Sequence, residues 1–252
     1  LSGLNNLAVQ YAVLGRPAEA IAAGQRARRL GEMLGVTLDV RNTEVNLGMF
    51  LVGVGRHREA LDLLHAVQAH AVAHAPDSAL QHCAEEFIAE TWWLLGRPDR
   101  ARQALGTRPI EQVSRVRWAF RLDLLARLAP ADNPATCLHW QQALAAAEEA
   151  TPLPTRVRVR LNASEALPTD EALAQCDIAL QEARDAEYPP GELLAHLRRA
   201  RVLLRQCKVD AAAVALSAAL VLHDAGIRHV FVSPAEVHGV AWQVATAQAA
   251  AG

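Results

Sequence analysis

Arg198, Arg201 and Arg205 stand three and four residues apart, the spacing that puts side chains on one face of a helix. A guanidinium offers a planar fork of donors that grips a carboxylate or phosphate through two bonds at once. The stretches 115–127, 156–160 and 198–205 together hold eleven Arg, Arg158 among them, against one acid, Asp123. Acids gather elsewhere, at Glu148, Glu149, Asp170, Glu171, Asp177, Glu182, Asp185 and Glu187. A net charge of −2 is therefore compatible with a basic stripe opposed by an acidic surface. The competing reading is that each Arg simply pairs with an acid on a neighbouring helix. Of the 25 Lys plus Arg only Lys208 is a lysine, a bias that weakens the case for any single Arg.

Other side chains suggest narrower chemistry. Asn6 and Asn46 lie 40 residues apart, and a primary amide both donates and accepts, as holding a peptide backbone requires. Glu86 and Glu90 share a helix face. Trp92 and Trp93 are adjacent and cannot, so one of them is expected in the core and Trp93 free to stack on a ligand. His70 and His74, with His65 and His82 nearby, have the spacing of a chelating pair. No acid stands between them as in a metalloprotease helix, and a solvated pair complementing a helix C-terminus fits better. The chain has no G-x-S-x-G, no phosphate-binding glycine loop and no G-x-G-x-x-G, so neither catalysis nor a metal or other cofactor is expected.

The elements that must position these residues are written as repeats. Gly15-Arg16-Pro17-Ala18-Glu19-Ala20, Gly55-Arg56-His57-Arg58-Glu59-Ala60 and Gly96-Arg97-Pro98-Asp99-Arg100-Ala101 are one phrase at spacings of 40 and 41 residues. Fainter copies end at Ala172 and Ala212. Each Gly suits the left-handed turn that ends a helix. Pro17, Pro98 and Pro168 suit the first turn of the next, and the Ala that follows lets two helices approach closely. Apolar residues recur at helical spacing before each phrase, as in Leu4, Leu7, Ala8, Tyr11 and Leu14. After Val230-Phe231-Val232, Ser233 to Glu236 has the spacing of a capping box that opens a last helix, 235–250.

Composition agrees with stacked helical hairpins: 52% hydrophobic, only 4% aromatic, rich in Ala, with mean hydropathy +0.07. No apolar run is long enough to span a bilayer, and near-neutral charge argues against direct nucleic-acid or membrane-surface binding. Cys83, Cys137, Cys176 and Cys207 are scattered, which fits a reduced, cytoplasmic protein. With neither an initiator Met nor a signal peptide, the chain reads as a piece of a longer protein.

The large–small–large pattern, the Leu-Gly step and the Glu-Ala step resemble the tetratricopeptide repeat. The resemblance covers nearly the whole chain and is poorest over 110–150. A period near 40 instead of 34 is similar to the longer repeats of bacterial ATPase-containing transcriptional activators. The resemblance implies an all-α, right-handed superhelix of about six hairpins plus a C-terminal helix. It forms a single solenoid over 1–252, with repeats near 1–36, 37–76, 77–109, 110–150, 151–187 and 188–226 and a cap at 227–252. The degraded fourth unit is its expected weak joint.

In that family the first helices line a concave groove in which one position is often Asn. Here Asn6 and Asn46 occupy it, then Phe87, Arg158 and Arg198. One turn on come Met49, Glu90 and Arg201, and beyond them Arg205. The expected groove residues are thus Asn6, Asn46, Met49, Glu86, Glu90, Trp93, Arg158, Arg198, Arg201 and Arg205. The implied partner is a peptide or protein domain, acidic where it meets the Arg residues. An anionic small molecule sensed by a regulator is the alternative, and a homo-oligomer is compatible with either.

Overall fold

The computed structural model describes residues 1–113, 117–129, 134–148, 151–227 and 234–251. Among these, thirteen α-helices and one 3-10 turn occur and no strand. The helices pair in chain order. α1 (Ser2–Val13) packs with α2 (Pro17–Leu34), α3 (Thr37–Gly53) with α4 (His57–His74), and α5 (Ala79–Leu94) with α6 (Pro98–Leu105). Next come α7 (Trp118–Leu128) with α8 (Pro134–Glu148), α9 (Leu153–Ala163) with α10 (Thr169–Asp185), and α11 (Pro189–Arg205) with α12 (Val209–Asp224). The last helix, α13 (Pro234–Ala251), lies against α11 and α12. Six hairpins and a terminal helix make a tetratricopeptide-like solenoid. Val230 to Val232 and the Ser233 cap lie outside the described residues, as do Arg115, Glu149 and the side chain of Cys137.

The repeated phrase closes its helices by one hydrogen-bond pattern. Gly15, Gly55 and Gly96 have φ of 70°, 78° and 68°. The amide after each reaches five residues back: Arg16 to the Tyr11 carbonyl, Arg56 to Leu51 and Arg97 to Trp92, at 2.8–2.9 Å. This is the Schellman closure, and it needs a left-handed residue at its centre. In the sixth hairpin Cys207 takes that place with φ 56°, and Lys208 donates to Leu203. Pro168 departs from the expected frame, since it stands just before the first helical residue, Thr169.

Close approach at the crossings follows from the small residues. Ala20, Ala60, Ala101, Ala172 and Ala212 are all completely buried. At Gly48 the α3–α4 crossing is tighter still, for a Cβ there would stand 2.7 Å from Leu64 Cγ.

One junction differs. Among the second helices α6 is the shortest, at eight residues, and its contact with α7 is small. Ala101 and Leu105 of α6 share an apolar cluster with Phe120, Leu124 and Leu128 of α7, and polar contacts join the two helices as well. Arg102 of α6 donates Nε and Nη2 to the Leu128 carbonyl at the end of α7, at 2.9 and 2.7 Å. Arg121 of α7 donates Nη2 to the Leu105 carbonyl at the end of α6, at 2.8 Å.

Candidate binding groove on the first-helix face

Each first helix touches the next one, from α1–α3 through to α11–α13, whereas successive second helices make at most marginal contact among the described residues. The narrower spacing marks the first helices as the inner layer, where the groove residues were expected.

At the N-terminal end the two Asn differ in their surroundings. Asn46 donates Nδ2 to Asn5 Oδ1 at 3.2 Å, while Asn6 is exposed beside it. Met49 is half-buried and packs against the apolar clusters on both sides of α3, so it belongs more to the core than to a groove wall.

In the middle, the expected stripe is a ladder of ion pairs between successive first helices. Glu90 of α5 accepts from Arg127 of α7 through both of its carboxylate oxygens. Arg127 also reaches Asp123 Oδ2 at 2.8 Å. Asp123 in turn accepts from Arg158 Nη2 at 2.6 Å and from Asn162 Nδ2 at 2.8 Å, both on α9. Glu86 accepts from Arg117 Nε at 2.8 Å. Glu86, Glu90 and Arg158, expected on the groove surface, are therefore almost wholly buried. The physical reason is mutual neutralisation, since a charge leaves water only with its partner. Burial would raise the Asp123 carboxyl, but Arg127, Arg158 and the Asn162 amide hold it below the usual range. At Glu86 burial prevails over Arg117 and Arg121, and its pKa is raised.

Further along, Arg198 pairs with Glu236 of α13 and lies 3.4 Å from Glu165. Arg201 reaches Glu236 at 3.0 Å and Glu165 at 3.3 Å. The two Arg and two Glu close a square. Arg205 donates to the Ser164 and Glu165 carbonyls at 2.7 Å each, capping the end of α9. Arg198 and Arg201 are thus neutralised, as the competing reading of the sequence had it, whereas Arg205 is held by carbonyls.

A recess of about 400 Å³ opens between these groups, walled by Glu90, Trp93, Arg127, Asn162, Arg198 and Arg201, with Glu165 and Glu236 at its side. Trp140 of α8 also reaches it. A second recess of about 510 Å³ adjoins it, sharing Glu165 and Arg201 and continuing to Gln243 and Ala247 of α13. The Trp92/Trp93 contrast is softer than expected. Both are half-buried, Trp92 under Arg100 at 4.6 Å and Trp93 under Arg127 at 4.4 Å. His70 and His74 stack at 4.3 Å at the end of α4, away from this groove.

Four expected residues, Glu90, Trp93, Arg198 and Arg201, meet at the first recess. Of the acids that complete it, Glu165 carries no signal of its own and Glu236 reads only as the end of a capping box, because each lies about a full repeat from its Arg. Asp123 carried a signal, as the lone acid among eleven Arg.

The helices define a class, the tetratricopeptide-like helical-repeat proteins. No family model matches the chain, and no curated protein matches it. Among solved structures, the chain is similar to the "TPR2AB-domain:pHSP90-complex of yeast Sti1" over 97% of this chain and 98% of that one. The identity is 17% and the TM-score 0.37, too distant to add to what the helices themselves establish.

Proposed function

We propose that this chain is a non-enzymatic interaction module that holds a peptide or partner domain along its first-helix face. The observation that carries the reading is continuity. Glu165 and Arg201 wall both recesses, so the groove runs on from Trp93 to Ala247 instead of closing around a compact ligand. The long repeat period supports placing the module as the regulatory arm of a bacterial multidomain regulator. Among the described residues no helix is long and apolar enough to cross a membrane.

A small-molecule effector of such a regulator is the second reading. It draws on the first recess alone, whose size lies within the range of ligand pockets.

Panning a random peptide display library on the immobilised chain tests the first reading. Captured peptides are expected to lose at least about tenfold in affinity with Trp93→Ala, roughly 1.4 kcal/mol. Undiminished capture by that variant places the binding surface elsewhere. Stabilisation by amino acids or nucleotides in a thermal-shift panel, with no peptide captured, favours the second.

A further inference from the structure

The first recess presents both signs of charge in equal number. Glu90, Glu165 and Glu236 face Arg127, Arg198 and Arg201, and every one of the six has an opposite partner. An acidic segment entering here meets the accessible carboxylates of Glu165 and Glu236, and the guanidiniums it seeks are already taken. A basic segment meets the converse.

The members of the square are not equally held. Arg198 and Glu236 are the more deeply buried, with side chains 10% and 17% exposed, whereas Arg201 and Glu165 are 29% and 40% exposed. Arg201 and Glu165 are also the pair over which a segment must pass to occupy both recesses.

From this geometry, and resting on the groove reading above, we infer that the bound segment is charge-paired. Its cationic side chain takes Glu165 and its anionic side chain takes Arg201, while Arg198 and Glu236 stay together beneath. Such an exchange leaves every half-buried charge compensated. A ligand of one sign compensates one member of the pair and strands the other, the costly outcome in a low-dielectric wall. In an extended segment, residues i and i+2 point to the same side about 6.5 Å apart. A Lys or Arg and an Asp or Glu at that spacing would straddle the pair, with apolar stems against Trp93 and Leu94.

The test uses the peptides captured from the display library, measured by fluorescence anisotropy against the whole chain. Captured sequences are expected to carry both signs. Replacing either their acids by amides or their bases by neutral residues should weaken binding at least about tenfold. The swap Glu165→Arg with Arg201→Glu should retain affinity for peptides in which the order of charges is reversed. If circular dichroism shows that the swap misfolds, the neutral pair Glu165→Gln with Arg201→Gln should abolish the dependence on both peptide charges. Capture of purely acidic peptides, or indifference to removal of the basic residue, overturns charge pairing and leaves the groove reading standing. Failure of the library to yield any peptide sensitive to Trp93→Ala overturns the groove reading itself.

Discussion

Arg102 and Arg121 cap each other's helices. Each donates to the final carbonyl of the helix that carries the other, Arg102 to Leu128 and Arg121 to Leu105. The reciprocity adds to the limited apolar packing that the eight-residue α6 makes through Ala101 and Leu105, in one cluster with Phe120, Leu124 and Leu128 of α7. Arg102 is half-exposed, so Arg102→Ala should cost only about 1 kcal/mol. Hydrogen exchange should locate that loss in α6 and α7. A loss of protection spread evenly over all hairpins would contradict this role.

Asp123, itself fully buried, holds Arg127 and Arg158 together beneath the first recess. Asp123→Asn leaves two buried guanidiniums short of their counter-charge and should cost about 3–5 kcal/mol in urea unfolding at neutral pH. Its carboxyl is held below the ordinary range in the fold. Asp123 thus contributes stability that is present above the unfolded pKa and lost as pH falls through the folded one. The difference between wild type and variant should therefore shrink below about pH 3.9. A gap that stays constant into acid would show the ion pairs to be incidental.

At the sixth turn, Cys207 adopts the conformation that Gly15, Gly55 and Gly96 adopt freely. A left-handed non-glycine residue costs about 1–2 kcal/mol, partly offset by the greater chain entropy glycine loses. Cys207→Gly should raise stability by about 0.5–1 kcal/mol, while Cys207→Ala, which keeps the strain, should not. Equal melting temperatures for all three proteins would refute the strain argument.

Gly48 offers the opposite sign. A mid-helix Gly→Ala change ordinarily stabilises by about 1 kcal/mol. Here the new methyl meets Leu64 at a narrow crossing, and Gly48→Ala should destabilise by about 1–3 kcal/mol. Chemical denaturation decides, and a gain would mean that α4 moves aside at little cost.

The hairpins could be read from sequence because their determinants are local. A Gly, a Pro and an Ala at fixed offsets set the turn, the helix start and the crossing, and the five Ala so identified are all buried. The sites were less legible because their partners are remote. Arg198 looked like an open cation until Glu236, 38 residues on, was brought against it. Spacing along one helix tells which residues share a face, and nothing in it tells which charge the next hairpin brings. Asn5, the partner that Asn46 meets on the preceding first helix, is likewise remote in sequence.

The junction between α6 and α7 also bears on how the molecule yields. A solenoid bends by small rotations between neighbours, and at this junction two guanidinium caps supplement a small apolar contact. The first recess lies across that junction, with Trp93 on α5 before it and Arg201 on α11 beyond it. A segment seated there would touch hairpins on both sides and so oppose any rotation between them.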